Sequence, residues 1–358
     1  EITIVCLKLG CTGFGGIAGM VSLIESEVVS KRGWVTRSEY LDAVSAANLI
    51  PGPNSVEIIM HCAHERAGKA GLITGGIVYI LPSMFICLLW AILYTKYGHL
   101  PAVQPFLYGI GPATAAVIIN AVFRLSGSII RRPHIIVISL LVLAGTLFGI
   151  NEVALLFAAG AAGALYAGRK KLYSILPLPL LMGNTPTLLR LFLIFFKIGA
   201  ILYGSGYVLF AYLDNALVQR QHWLTAQQLA DAVSAGQLTP GPILSSATFA
   251  GYLIMGTPGA LLATAAIFLP SFFIAFFLNR ILRFINSHAV LRNFLDVVNG
   301  ASVALIASVA IHMLPGVVTH WQTAAIFIAS LAALMLAKVN PGLLILAGGA
   351  CGYLLGFV

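Results

Sequence analysis

The chain has 358 residues, 59% hydrophobic and only 9% charged, and a formal net charge of +9. So little polar surface cannot cover a water-soluble globule of this length, which excludes a soluble enzyme or binding module and points to a lipid bilayer. The Lys and Arg residues sit in short loops between apolar stretches, as topology signals do, so no nucleic-acid partner is read from the charge.

In chain order, the first apolar run opens without Met, and a short leader is expected ahead of it. It predicts a helix ending near Leu23 that carries Lys8 and the run Gly13-Phe14-Gly15-Gly16. An amphipathic helix is expected over residues 38–49, stopped by Pro51-Gly52-Pro53, and a further helix runs from there to about His64. Apolar segments at 72–94, 105–123, 135–150 and 153–168 complete a first half, where a crossing helix takes roughly 20 apolar residues. The cysteines (Cys6, Cys11, Cys62, Cys87 and Cys351) form no CxxC pair and read as small hydrophobes.

The chain then repeats itself. WVTRSEYLDAVSAANLIPGP at 34–53 returns as WLTAQQLADAVSAGQLTPGP at 223–242. In the same register Lys8 and Gly10 match Lys197 and Gly199, Phe14 and Gly15 match Tyr203 and Gly204, and residues 81–83 match 269–271 after one gap. If the short helices around PGP form a re-entrant pair, each half crosses five times, and the odd count turns the second half over. With the loop 31–37 in the cytoplasm, the loop cations gather on that side and leave only Lys96 and Arg220 outside. Arg66 and Lys69 follow the first PGP and have no basic counterparts after the second, whereas Arg280, Arg283 and Arg292 stand opposite the charge-poor loop around Lys96. The expected fold is an all-α integral membrane protein of two five-crossing inverted-topology repeats, each with a re-entrant helix pair broken at PGP. Residues 1–168 and 189–358 are the repeats, 169–188 the cytoplasmic linker, and both termini lie outside. A parallel duplication with six crossings per half would put charged loops on the wrong face.

Inverted repeats bring broken helices together near mid-bilayer, where helix N-termini face a shared site. The second proline of each PGP can open a helix whose unpaired N–H groups favour an anion. Candidate substrate contacts are therefore Asn48, Pro51, Gly52, Pro53, Asn54 and Ser55 in the first half, with Gln237, Pro240, Gly241, Pro242 and Ser245 in the second. The glycine-rich runs Phe14-Gly15-Gly16 and Gly204-Ser205-Gly206 can unwind helices toward the same place, and Lys8 and Lys197 would offer two positive charges to a dianion. Their alternative is snorkelling to the interface. Asp42 and Asp231 are equivalent carboxylates suited to a cap or an ion pair. Glu57 aligns with Ser246, so it has no acidic counterpart and is a candidate for proton coupling or for a cytoplasmic vestibule. His61-Cys62-Ala63-His64-Glu65 lacks HExxH spacing and is not read as a metal site.

The K-L-G and Phe-Gly-Gly runs, the basic stretch with Trp34, the Leu-Asp-Ala helix and the double PGP resemble the signature of the chromate ion transporter family over nearly the whole chain. The sequence departs from that pattern at Ile17 (commonly proline), Asn48 (glutamine) and Ser205 (glycine). The resemblance implies a multi-pass inner-membrane transporter, with no cofactor, that moves chromate and possibly sulfate, exporting chromate by alternating access. A homodimer is left open. The rivals are oxyanion uptake or exchange, an anion channel and an intramembrane enzyme, for which no nucleophile recurs at catalytic spacing.

Overall fold

The computed structural model describes residues 1–13, 16–47, 50–127, 132–166, 185–203, 206–278, 281, 288–337 and 339–355. Among them there are helices and turns but no strand. The first half runs α1 (Ile2–Thr12), α2 (Gly16–Glu25), α3 (Arg37–Ala47), α4 (Asn54–Tyr97), α5 (Gln104–Ser126), α6 (Pro133–Leu147) and α7 (Glu152–Tyr166). The second runs in the same order through α8 (Leu188–Ile201), α9 (Val208–Leu213), α10 (Ala226–Leu238), α11 (Ser246–Phe276), α12 (Ala289–Val317), α13 (Trp321–Leu336) and α14 (Pro341–Leu354). Four helical stretches are long and apolar enough to cross a membrane, within α4, α5, α11 and α12. The chain is a membrane protein.

Local chemistry fixes the helix starts. Thr36 and Glu39 form a capping box at α3: the Thr36 N–H donates to Glu39 at 2.7 Å and the Glu39 N–H to the Thr36 hydroxyl at 3.3 Å. Thr225 and Gln228 do the same at α10, at 2.9 and 3.1 Å. Helix α4 is two helices joined by a reversal at Ala67 (φ −147°, ψ 28°) and Gly68 (φ 58°, ψ −149°), and α11 reverses alike at Met255 (φ −141°, ψ 25°) and Gly256 (φ 62°, ψ −154°). The Thr248 and Thr264 hydroxyls lie 2.7 Å apart although 16 residues separate them. A straight helix would set them about 24 Å apart.

The single helix expected to end near Leu23 is also two pieces. Lys8 meets Glu27 at 2.9 Å and the Trp34 indole donates to Glu1 at 3.0 Å, so α1 and the segment from α2 to Trp34 run antiparallel. The apolar run alone did not show the break after Thr12, where α1 ends and the chain folds back through α2. Arg66 also reaches Glu1, at 3.1 Å, so the starts of α1 and α3 and the end of the 54–66 helix share one end of the molecule. About 40 Å away, at 1.5 Å per residue along the rest of α4, Tyr94 and His99 line a cavity of about 1150 Å³ with Gln227 from the start of α10 and Tyr252 from the end of the first α11 helix. Arg66 and Tyr252, each just before its helix reversal, thus lie far apart along the molecule.

The centre is packed through small residues. A Cβ on Gly199 would sit 2.1 Å from the Ile267 carbonyl and one on Gly10 would sit 2.6 Å from the Tyr79 carbonyl, so α1 and α8 press directly onto the backbones of α4 and α11.

Candidate functional site

Each PGP turn depends on its glycine. Gly52 has φ 137° and Gly241 φ 99°, values that side-chain-bearing residues rarely adopt. The Gly52 N–H donates across the halves to the Leu202 carbonyl at 2.7 Å, and the Gly241 N–H donates to the Gly13 carbonyl at 2.9 Å. Each turn is therefore tied to the end of the first helix of the opposite half. Beyond the turns, α4 starts at Asn54 after an extended Pro53 (φ −81°, ψ 97°), and a 3₁₀ turn, Ile243–Ser245, starts after Pro242 (φ −73°, ψ 131°). No side chain caps either start.

Both starts border one cavity of about 80 Å³, where a water takes roughly 10–15 Å³ by the same measure. The structure brings seven of the expected residues together there: Pro53, Asn54, Ser55, Gly206, Gln237, Gly241 and Pro242. Gly13, Tyr207, Thr239 and Asn340 add to the polar and turn-forming part of the wall, and among the described residues no charged side chain lines it. The Gln237 amide also borders the cavity, beside the Tyr207 hydroxyl. Asn340 brings in a third helix start, that of α14, but its side chain already accepts from the Gly342 N–H at 2.8 Å. The arrangement can hold a small anion by backbone N–H groups, amides and helix dipoles, with neither a cation nor a metal.

The other expected residues fall elsewhere. Lys8 stands outside the cavity, half exposed and paired with Glu27, and Lys197 is exposed as well. Neither lysine lines the cavity between the turns. Pro51, Gly52 and Pro240 build the turns behind the wall. Ser245 is buried and donates to Ser83 at 2.7 Å. Asp42 is exposed, whereas its sequence counterpart Asp231 is buried at the edge of the large end cavity and accepts from Gln227 at 3.1 Å. Glu57 is buried behind Gly52, away from the vestibule. Behind the second turn Ser83 packs on Gly241 as Ser271 packs on Gly52, and Ser83 is bonded to Ser245. Gly16 begins α2. Phe14, Gly15, Asn48, Gly204 and Ser205 lie outside the described residues.

Sequence reasoning missed Asn340 and Tyr207. Asn340-Pro341-Gly342 carries a readable start signal, an Asn cap followed by proline at the first helical position, but nothing local in it tells that the cap faces Gln237.

The family described as chromate transporter matches this chain over residues 1–164 and 189–353. The chain is similar to a chromate transport protein of Cupriavidus metallidurans, 28% identical over 98% of this chain and 91% of that one. It is 30% identical to a probable chromate transport protein of Synechococcus elongatus over 76% of this chain and 73% of that one. An uncharacterized transporter of Methanocaldococcus jannaschii is 25% identical over 98% and 92%. No solved structure matches.

Proposed function

This chain belongs to the chromate transporter family, and on that premise we propose that it moves chromate, a tetrahedral dianion, across the cell inner membrane through the cavity between the two PGP turns. One observation carries the reading: two helix starts without a side-chain cap and the Gln237 amide border a cavity that, among the described residues, no charged side chain lines. Helix starts attract anions by their free N–H groups and aligned dipoles, each worth about 0.3–1 kcal/mol at the surface and up to ~2 kcal/mol when partly buried. Neutral donors grip a dianion without the strong pairing that a lysine would add, so the anion can leave.

The halves form an inverted repeat, 1–168 and 189–358 about the linker 169–188, with the PGP pairs entering from opposite faces. Its support is the placement of Trp34 and Arg66 at one end and of Gln227 and Tyr252 at the other. Alternating access then works by rocking of one half against the other around the shared turns. Outward movement of the dianion suits the membrane voltage, which is worth about 2.3 kcal/mol per charge per 100 mV and so about 4.6 kcal/mol for two charges. Sulfate is the second reading, because backbone and amide donors answer to a tetrahedral XO₄ shape rather than to the central atom.

The test is chromate counterflow with the purified chain in liposomes. Counterflow that saturates separates a transporter from a channel. Gln237→Ala should raise KM about tenfold, the loss of one hydrogen bond to a charged group, with the protein still folded. A KM unmoved by that substitution would take the cavity out of the transport path.

A further inference from the structure

Glu57 has no task in the transport reading, and it occupies an unusual place. Its side chain is fully buried, and among the described residues neither carboxyl oxygen has a hydrogen-bond partner. A Cβ added at Gly52 would lie 1.9 Å from Glu57 Oε1 and 3.1 Å from the hydroxyl of Ser271, which is likewise unpartnered. The carboxyl is thus wedged behind the first PGP turn, on the side of Gly52 that also meets a hydroxyl from the second half. Behind the second turn the related place holds the Ser245–Ser83 hydrogen bond of 2.7 Å. One turn is backed by two neutral hydroxyls, and the other by a group that can gain or lose a proton.

The polar groups facing Glu57 are Ser271 of α11 and Tyr203, just after α8. Among the described residues no charged side chain faces it from α1, α3, α8 or α11. An ionised Glu57 therefore has only the start of its own helix to lean on, whose Asn54 and Ser55 border the cavity.

We propose that Glu57 takes up a proton together with the anion, so that each cycle moves one oxyanion and one proton; this rests on the transport reading above. When a dianion occupies the helix starts, a second negative charge behind the same turn is disfavoured and the carboxylate becomes the acid. When the anion leaves, the helix start is free again and the proton is released. One O–H bond forms at Glu57 and no other bond changes, and the charge carried per cycle falls from two negatives to one. Linkage makes the effect mutual: acidification tightens the anion by the same factor as the anion raises the proton affinity. Voltage still drives the net negative charge outward, while an acid exterior opposes it.

The experiment uses the full chain in phosphatidylethanolamine–phosphatidylglycerol vesicles, with voltage clamped by potassium and valinomycin. KM for chromate is followed from about pH 6 to about pH 8, and a trapped pH dye follows protons during net chromate uptake. The parent is expected to show KM falling on acidification, by up to about tenfold per pH unit from a single proton, and dye acidification with uptake. Glu57→Gln is expected to flatten its share of that profile and to abolish the dye signal. Chromate's own protonation is the same for both proteins, so the difference belongs to Glu57. A Glu57→Gln profile and dye signal equal to the parent's overturn the proposal. If Glu57→Gln does not fold, Glu57→Asp decides: it keeps a titrating carboxyl in a shifted position, and a profile superimposable on the parent's is the overturning result. A parent without saturable chromate counterflow overturns the transport reading and this inference with it, whereas normal counterflow with an unmoved profile overturns the inference alone.

Discussion

Lys31, Lys8 and Arg32 all converge on Glu27, whose carboxylate they cover almost completely. Hydrogen bonds from Lys31 and then Lys8 hold its carboxyl well below the usual range, down to about 2. Since the folded state holds this proton less tightly than the unfolded chain does, the cluster's contribution is complete at neutral pH and is lost as the pH falls through the usual carboxylate range toward about 2. Glu27→Gln should therefore lower the melting temperature in detergent at neutral pH, and the gap from the parent should close as the pH approaches that value. Lys8→Gln should leave the KM for chromate within about twofold, because its ammonium is spent on Glu27 and a surface ion pair is worth at most ~1 kcal/mol. A tenfold rise in KM would return Lys8 to the site. The sequence offered Lys8 as a grip on a dianion or as a cation reaching the interface, and in the fold its ammonium meets Glu27. Its partner stands 19 residues away, a spacing that no single helix brings together, so only the fold-back at Gly13 reveals it.

At the scale of elements, glycine placement separates turns that only bend the chain from turns that also touch something. Gly33 has φ 58° with nothing near its missing side chain, so Gly33→Ala should cost about 1–2 kcal/mol, the ordinary penalty of the left-handed region. Gly52→Ala adds a methyl 1.9 Å from Glu57 Oε1 and should abolish folded protein, as read by monodispersity in detergent. Equal yields from the two variants would refute this ranking. The PGP breaks and the break between His64 and Leu72 were legible because proline and glycine act locally. The fold-back of α1 on α2 and the arrival of Asn340 at the cavity were not, since both depend on partners far along the chain.

For the molecule as a whole, the tips of the two long reversals are the test of orientation. Single cysteines at Gly68 and Gly256, in a background without the native cysteines, should react with a membrane-impermeant maleimide from opposite sides of the bilayer. Labelling of both from one side would leave the halves parallel and the shared cavity without a basis.

The reciprocal bonds from Gly52 to Leu202 and from Gly241 to Gly13 bear on how such a molecule could have arisen. Neither half finishes its own turn; each lends a carbonyl to its neighbour and borrows one in return. A polypeptide made of one half alone would hold a glycine N–H with no acceptor until a second copy, flipped head over tail, docked against it. Fusion of two such copies into a single gene would make that pairing permanent, and would free the duplicates to diverge where they no longer had to be self-complementary, as the acidic Glu57 and its aligned Ser246 do.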